Sequence, residues 1–179
     1  MPGKLCTSWG LALVLSALGA CATGADRVDT ASTDLAWETY RHDGPQFSLR
    51  YPYGYHATES RGPGQIFVAS DALRVPSISV SLMPQVQGLA LDQSAAAAAK
   101  RVSPDAKVTS ERDVDLGGVP ARAATLEWSA PFGLGVELRT LLVSAYVGDQ
   151  WVIVSATDGV TKGPFLPELE AAAMSLRFE

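Results

Sequence analysis

Two histidines, His42 and His56, and a carboxylate trio, Glu111, Asp113 and Asp115, are the side chains of this sequence best equipped for chemistry. Neither histidine has a second His or a Cys at metal-ligand spacing. "YRHDG" around His42 is turn-like in composition, and His56 follows an apolar alternating stretch, so both read as surface histidines. The three carboxylates are two residues apart, and a strand would set all of them on one face. Oxygen ligands of that kind suit Ca²⁺, but a Ca²⁺ site takes six or more oxygens, typically from a curved loop. A strand spreads alternate carboxylates about 7 Å apart. The preferred reading is a solvated face or a charged edge that blocks sheet-to-sheet aggregation. The sequence has no G-x-S-x-G elbow, S-x-x-K pair, H-E-x-x-H or P-loop. "GPG" and "GLG" read as turns, since no suitably spaced helix follows to make a phosphate cradle. The expectation is a protein that is not an enzyme, with no catalytic, metal-binding or cofactor-binding residues.

Bulk composition narrows the partners. Of 179 residues, 18% are charged and 47% hydrophobic, enough apolar material for a core and too little charge for a disordered chain. Net charge is −5 and the pI is near 5.0, with no run of Lys and Arg. A nucleic-acid partner is not expected.

The cysteines, Cys6 and Cys21, both lie near the N-terminus, so no downstream thiol is available for a disulfide or thiolate metal site. "MPGKLCTSWGLALVLSALGAC" has a positive start at Lys4, an apolar run from Trp9 to Leu18, then small residues. The run is shorter than the ~20 residues of a membrane span and matches a secretory leader. Its close, Leu18-Gly19-Ala20-Cys21, resembles the bacterial lipoprotein lipobox. That resemblance implies cleavage between Ala20 and Cys21 and acylation of Cys21, whose acyl chains would hold the protein on a membrane. The competing reading is an ordinary secretory peptide cut after Ala20 or Ala22. Ala22 follows the cysteine where an Asp would suggest inner-membrane retention. The expected location is therefore the cell envelope, on the outer membrane if the cell has one, at its periplasmic or surface face.

The expected organisation is a leader over 1–20, a lipidated Cys with flexible tether over 21–36, and one domain over 37–179. "ATGADRVDTASTD" is small, polar and aperiodic, and a coil of that length averages roughly 20 Å end to end. Beyond it, period-two alternation predicts strands in "FSLRY", around Ile66 and Val68, and in "SISVSLM". It predicts further strands in "KVTSERDVDL", "RAATLEWSA", "VELRTLLVSAYV" and "QWVIVSAT". Turns are expected at "RGPG", "LGG", "PFGLG" and "GDQ". "LDQSAAAAAKRV" predicts a helix, with Asp92 in its first turn and Lys100 and Arg101 in its last to complement the dipole. "PFLPELEAAAMSL" predicts another, with Pro167 in its first turn and Phe165, Leu169, Ala173 and Leu176 on one side. Strands in consecutive hairpins with two helices make an α+β domain on an antiparallel sheet. Trp128 and Trp151 alternate with polar residues and are expected in the core.

"FSLRYPYGY", residues 47 to 55, poses a sharper question, since four aromatic rings in nine residues can be a binding platform. Alternation puts Phe47, Leu49 and Tyr51 inward and Arg50 outward, and Pro52 with Gly54 ends the strand. Tyr53 alone is expected near solvent, and Tyr55 is expected to pack back with its hydroxyl on a polar partner.

In order, these landmarks resemble the PsbP-like/Mog1-like family. The residues are Phe47-Ser48-Leu49-Arg50-Tyr51-Pro52-Tyr53-Gly54-Tyr55, "ISVSLMP" followed by the alanine-rich helix, Leu116-Gly117-Gly118-Val119-Pro120-Ala121, and Ser175-Leu176-Arg177-Phe178. Tyr55 stands where the family's pattern has Trp. The resemblance spans about residues 37 to 179 and implies an α/β/α sandwich around an antiparallel sheet. It implies little chemistry, because members include photosystem-associated, nuclear-transport and bacterial envelope proteins. The expected function is a non-catalytic, lipid-anchored envelope protein that binds or supports another protein at the membrane surface. The alternative is a lipoprotein binding a small apolar or aromatic ligand between sheet and helix.

Overall fold

The computed structural model of the chain describes residues 36–59, 64–71, 75–130, 136–159 and 167–179. All of them fall within one compact unit, Asp34–Glu179. The leader, Ala20, Cys21, the tether up to residue 35, most of the turns at 61–64 and 131–135, and Phe165 lie outside the described residues.

Among the described residues, ten strands and two helices follow one another. They are β1 (Trp37–Asp43), β2 (Gln46–Pro52), β3 (His56–Glu59), β4 (Gln65–Ser70), β5 (Ser77–Pro84) and α1 (Leu91–Val102). Then come β6 (Lys107–Leu116), β7 (Val119–Ser129), β8 (Glu137–Val147), β9 (Gln150–Asp158), α2 (Pro167–Ala173) and β10 (Arg177–Phe178). All pairings are antiparallel. The larger sheet runs β3-β4-β5-β9-β8-β7-β6 and the smaller β1-β2-β10.

Strict alternation sends the two faces of the large sheet into two separate cores. On one face, Ile78, Val80, Leu141, Val143, Val152 and Val154 meet Phe47 and Leu49 of β2 and Leu169 and Ala173 of α2. On the other, Ala124, Leu126, Leu142, Trp151 and Ile153 meet Ala95, Ala98 and Ala99 of α1. The alanines leave that helix thin enough to lie close on the sheet. The expected antiparallel sheet with two helices is present. The outer layers are not both simply helical, because the layer opposite α1 combines α2 with the three-stranded sheet.

Helix α1 occupies the expected residues. Its last turn closes through the Ser103 amide, which donates to the Ala99 carbonyl at 3.1 Å. Pro167 opens α2, a place where its missing N–H costs nothing. The "LGG" turn closes the β6–β7 hairpin with Gly117 and Gly118 at φ +64° and +89°. At Gly117 a Cβ would stand 2.7 Å from the Leu176 carbonyl oxygen and 2.8 Å from Arg177 Cα, so only glycine lets the C-terminal segment pass that close.

Three strands escape the alternation signal. "YRHDG" was expected as a turn, but His42 lies within β1, and the turn falls on Gly44 and Pro45. β3 has no buried residue, and β10 is two residues long, paired with Phe47 and Ser48. In β4 the fully inward residues are Phe67 and Ala69, with Ile66 and Val68 only partly covered.

Candidate functional site

The carboxylate trio is on β6, the terminal strand of the large sheet. Arg122 of the neighbouring β7 donates to Glu111 at 2.8 Å and to Asp113 at 2.9 Å. These two bonds, Glu111's first, push the guanidinium pKa up. Asp115 instead accepts the Gly118 amide at 2.8 Å and braces the hairpin turn. One cation thus answers two carboxylates and a backbone N–H the third, which is the charged, structured edge that the spacing suggested. Among the described residues no group of three or more His, Cys, Asp or Glu is placed to hold a metal ion.

The histidines are far simpler. His42 Nδ1 accepts the Gly44 amide at 3.2 Å, and its ring stacks on Phe47 at 5.2 Å between centroids. It shapes the β1–β2 turn. His56 is exposed on β3.

The aromatic stretch resolves as expected at most positions. Phe47 and Leu49 are fully buried and Tyr51 is 7% exposed, whereas Tyr53 is 71% exposed. Arg50, on the outward face, lies 5.1 Å from the Trp37 ring centroid. The hydroxyl bond expected of Tyr55 is found at Tyr51, which donates to Glu38 Oε2 at 2.6 Å. Burial, then the bond to Glu38, pushes the Tyr51 phenol up to about 12. Burial, then the charges of Glu168, Asp71 and Asp158, takes Tyr55 to about 12 as well. The four rings form no platform.

A concave site lies instead beside α1, as a groove of about 320 Å³. Its helix wall is Ala98, Arg101 and Val102. Its sheet floor carries hydroxyls: Ser79 and Ser81 from β5, Ser155 and Thr157 from β9, and Thr140 from β8. Strand register assembles them, because Ser79 pairs with Ser155, and Thr157 pairs with Thr140. Gln65, Met83 and Ile153 complete the lining. Beneath the floor's edge, Trp128 Nε1 donates to Thr140 Oγ1 at 3.0 Å, and Thr140 shares a further 3.0 Å bond with Thr157.

Deeper under α1 a buried chain of bonds locks helix to sheet. Trp151 Nε1 donates to Ser144 Oγ at 2.6 Å, Ser144 Oγ to Ser94 Oγ at 2.8 Å, and Ser94 Oγ to the Leu91 carbonyl at 2.7 Å. Trp151 is therefore core, as expected, at 1% exposure. The groove itself was not singled out from sequence. Its signal was present in "SISVSLM", whose serine face read as ordinary solvent-facing alternation. Only the position of α1 turns that face into one side of a concavity.

No protein-family model matches the chain, and no curated protein matches it by sequence. Solved structures do. The solution structure of cyanobacterial PsbP (CyanoP) from Synechocystis sp. PCC 6803 superposes with a TM-score of 0.60 at 17% identity, covering 81% of this chain and 94% of that one. The chain has a PsbP-like fold. A crystal structure of a protein from Bacteroides thetaiotaomicron VPI-5482 gives a TM-score of 0.51 at 17% identity, over 79% of this chain and 48% of that one. This chain spans about half the length of the Bacteroides chain. Among the described residues no helix is long and apolar enough to cross a membrane.

Proposed function

We propose that this chain is a non-catalytic, lipid-anchored protein of the bacterial cell envelope, whose PsbP-like domain binds or supports another protein at the membrane surface. The observation that carries the proposal is Leu18-Gly19-Ala20-Cys21 at the close of an apolar run, followed by a polar tether and then the domain. Acyl chains on Cys21 would hold the molecule on the membrane, and the tether would let the domain turn toward a neighbour. A two-core body, with α1 on one face of the large sheet and α2 with β1, β2 and β10 on the other, suits docking. Crosslinking in intact cells, followed by capture of the tagged chain, tests the partner. A specific envelope protein recovered with wild type but not with a mislocalised Cys21→Ala variant is the expected result. Recovery of no specific partner counts against the proposal.

A second reading, a ligand-binding lipoprotein, is favoured by the groove between sheet and α1. The ligand class expected from sequence, small and apolar or aromatic, fits that groove poorly. Five of its lining residues carry hydroxyls and one a guanidinium, so a wholly apolar guest would strip water from polar groups without replacing their hydrogen bonds.

A further inference from the structure

The groove has a charge bias opposite to that of the whole chain. The sequence has 19 acidic residues against 14 basic, yet among the described residues no carboxylate lines the groove and the one charged lining residue is Arg101. The two cations of the last α1 turn are used differently. Lys100 donates to the Pro104 carbonyl at 3.1 Å. Arg101 makes no salt bridge with a described carboxylate, and its guanidinium lies 6.0 Å from the Trp151 ring centroid. Asp158, next to Thr157, points to the opposite face, where it pairs with Arg139 at 3.0 Å. The full charge of Arg101 also outweighs the roughly half negative charge that a helix C-terminus places nearby. The same lining carries the hydroxyls of Ser79, Ser81 and Ser155, with Ser79 paired to Ser155 by strand register and no side-chain partner for the three among the described residues. Met83, Val102 and Ile153 supply an apolar strip in the same lining.

We propose that this groove binds a small organic oxyanion, a carboxylate or phosphate carried on a short apolar body. Arg101 and the hydroxyls of Ser79 and Ser155 take the charged head, because a guanidinium with O–H donors matches oxyanion geometry. Met83, Val102 and Ile153 take the body. The volume, about 320 Å³, is at the low end of small-molecule sites and exceeds what a bare phosphate fills. The inference deepens the ligand-binding reading and is independent of the lipid anchor and of any protein partner.

Amide NMR titration of the full-length chain in maltoside micelles tests it, with phenyl phosphate, phenylacetate and inorganic phosphate as probes. The expected result is saturable shifts at Ser79, Ser155 and Arg101 with at least one of the two organic anions, whichever binds more tightly naming the preferred head. Arg101→Gln, an exposed change in the last helical turn, should weaken that binding about tenfold. Ser155→Val, which swaps a donor for a methyl, should weaken it with Arg101 intact. Inorganic phosphate binding as tightly as phenyl phosphate would remove the role of the apolar strip and overturn the proposal. So would saturable shifts confined to other surfaces, no saturable shift with either organic anion, or undiminished affinity in both variants.

Discussion

One face of the large sheet behaves in two ways. Under α1, the strands β7, β8 and β9 present Ala124, Leu126, Leu142 and Trp151, and the helix answers with Ala95, Ala98 and Ala99. Beside α1, the same face of β5 and β9 presents Ser79, Ser81, Ser155 and Thr157. Period and pleat are unchanged along β9; the side chains switch from Trp151 and Ile153 to Ser155 and Thr157 where the helix cover ends. The difference teaches that the helix's width, not the strand pattern, separates core from site. A hydroxyl face that is ordinary on an open sheet becomes a directed floor once a helix wall with a single arginine stands over it.

The strongest way to break this contrast is to remove its covered end. Trp151→Ala should cost about 3–5 kcal/mol in denaturant unfolding, through cavity formation and loss of the bond to Ser144. A loss under 1 kcal/mol would mean that α1 is not seated on a specific core. Ala99→Leu probes the closeness of the same contact from the helix side. With Ala99 fully buried, the added atoms should cost about 1–3 kcal/mol, read as a lowered denaturation midpoint. At the open end, Ser155→Ala should change stability by no more than about 0.5 kcal/mol. If it destabilises as much as Ala99→Leu, the floor is core and the contrast fails.

The opposite face offers a pH-dependent check. Tyr51 and Tyr55 have phenols pushed up to about 12 from an ordinary 10.0. The unfolded chain would therefore lose those protons first, so the stabilisation is intact below pH 10 and is lost as pH rises from about 10 to about 12. Ultraviolet titration of the folded protein should show Tyr51 and Tyr55 ionising late, with Tyr40 and Tyr146 also above the ordinary value. Glu38→Gln should bring the Tyr51 ionisation down while leaving Tyr55 in place.

Much of the fold was legible because local chemistry and global position agree. Helix α1 could be bounded from an alanine run with Asp92 before it and Lys100 and Arg101 at its end. Phe47, Leu49 and Tyr51 could be sent inward from alternation alone. The trio Glu111, Asp113 and Asp115 could be read as an edge, because alternate like charges suit a terminal strand, and Arg122 supplies what the spacing could not name. Of the missed strands, β1 and β3 pair with their sequence neighbours β2 and β4 but carry no fully buried residue to mark an inward face. β10 exists because Phe178 and Arg177 reach β2, some 130 residues away in sequence, a pairing no local pattern encodes. The groove was missed for the same reason: Ser79, Ser155 and Arg101 become neighbours only through sheet register and the placement of α1.

The central claim, a domain held to the envelope through Cys21, is tested most directly by metabolic labelling with an alkyne fatty acid in the native host. The wild-type chain should take up label, and Cys21→Ala should take up none while the protein is still made. Equal labelling of both chains, or of neither, would contradict the account.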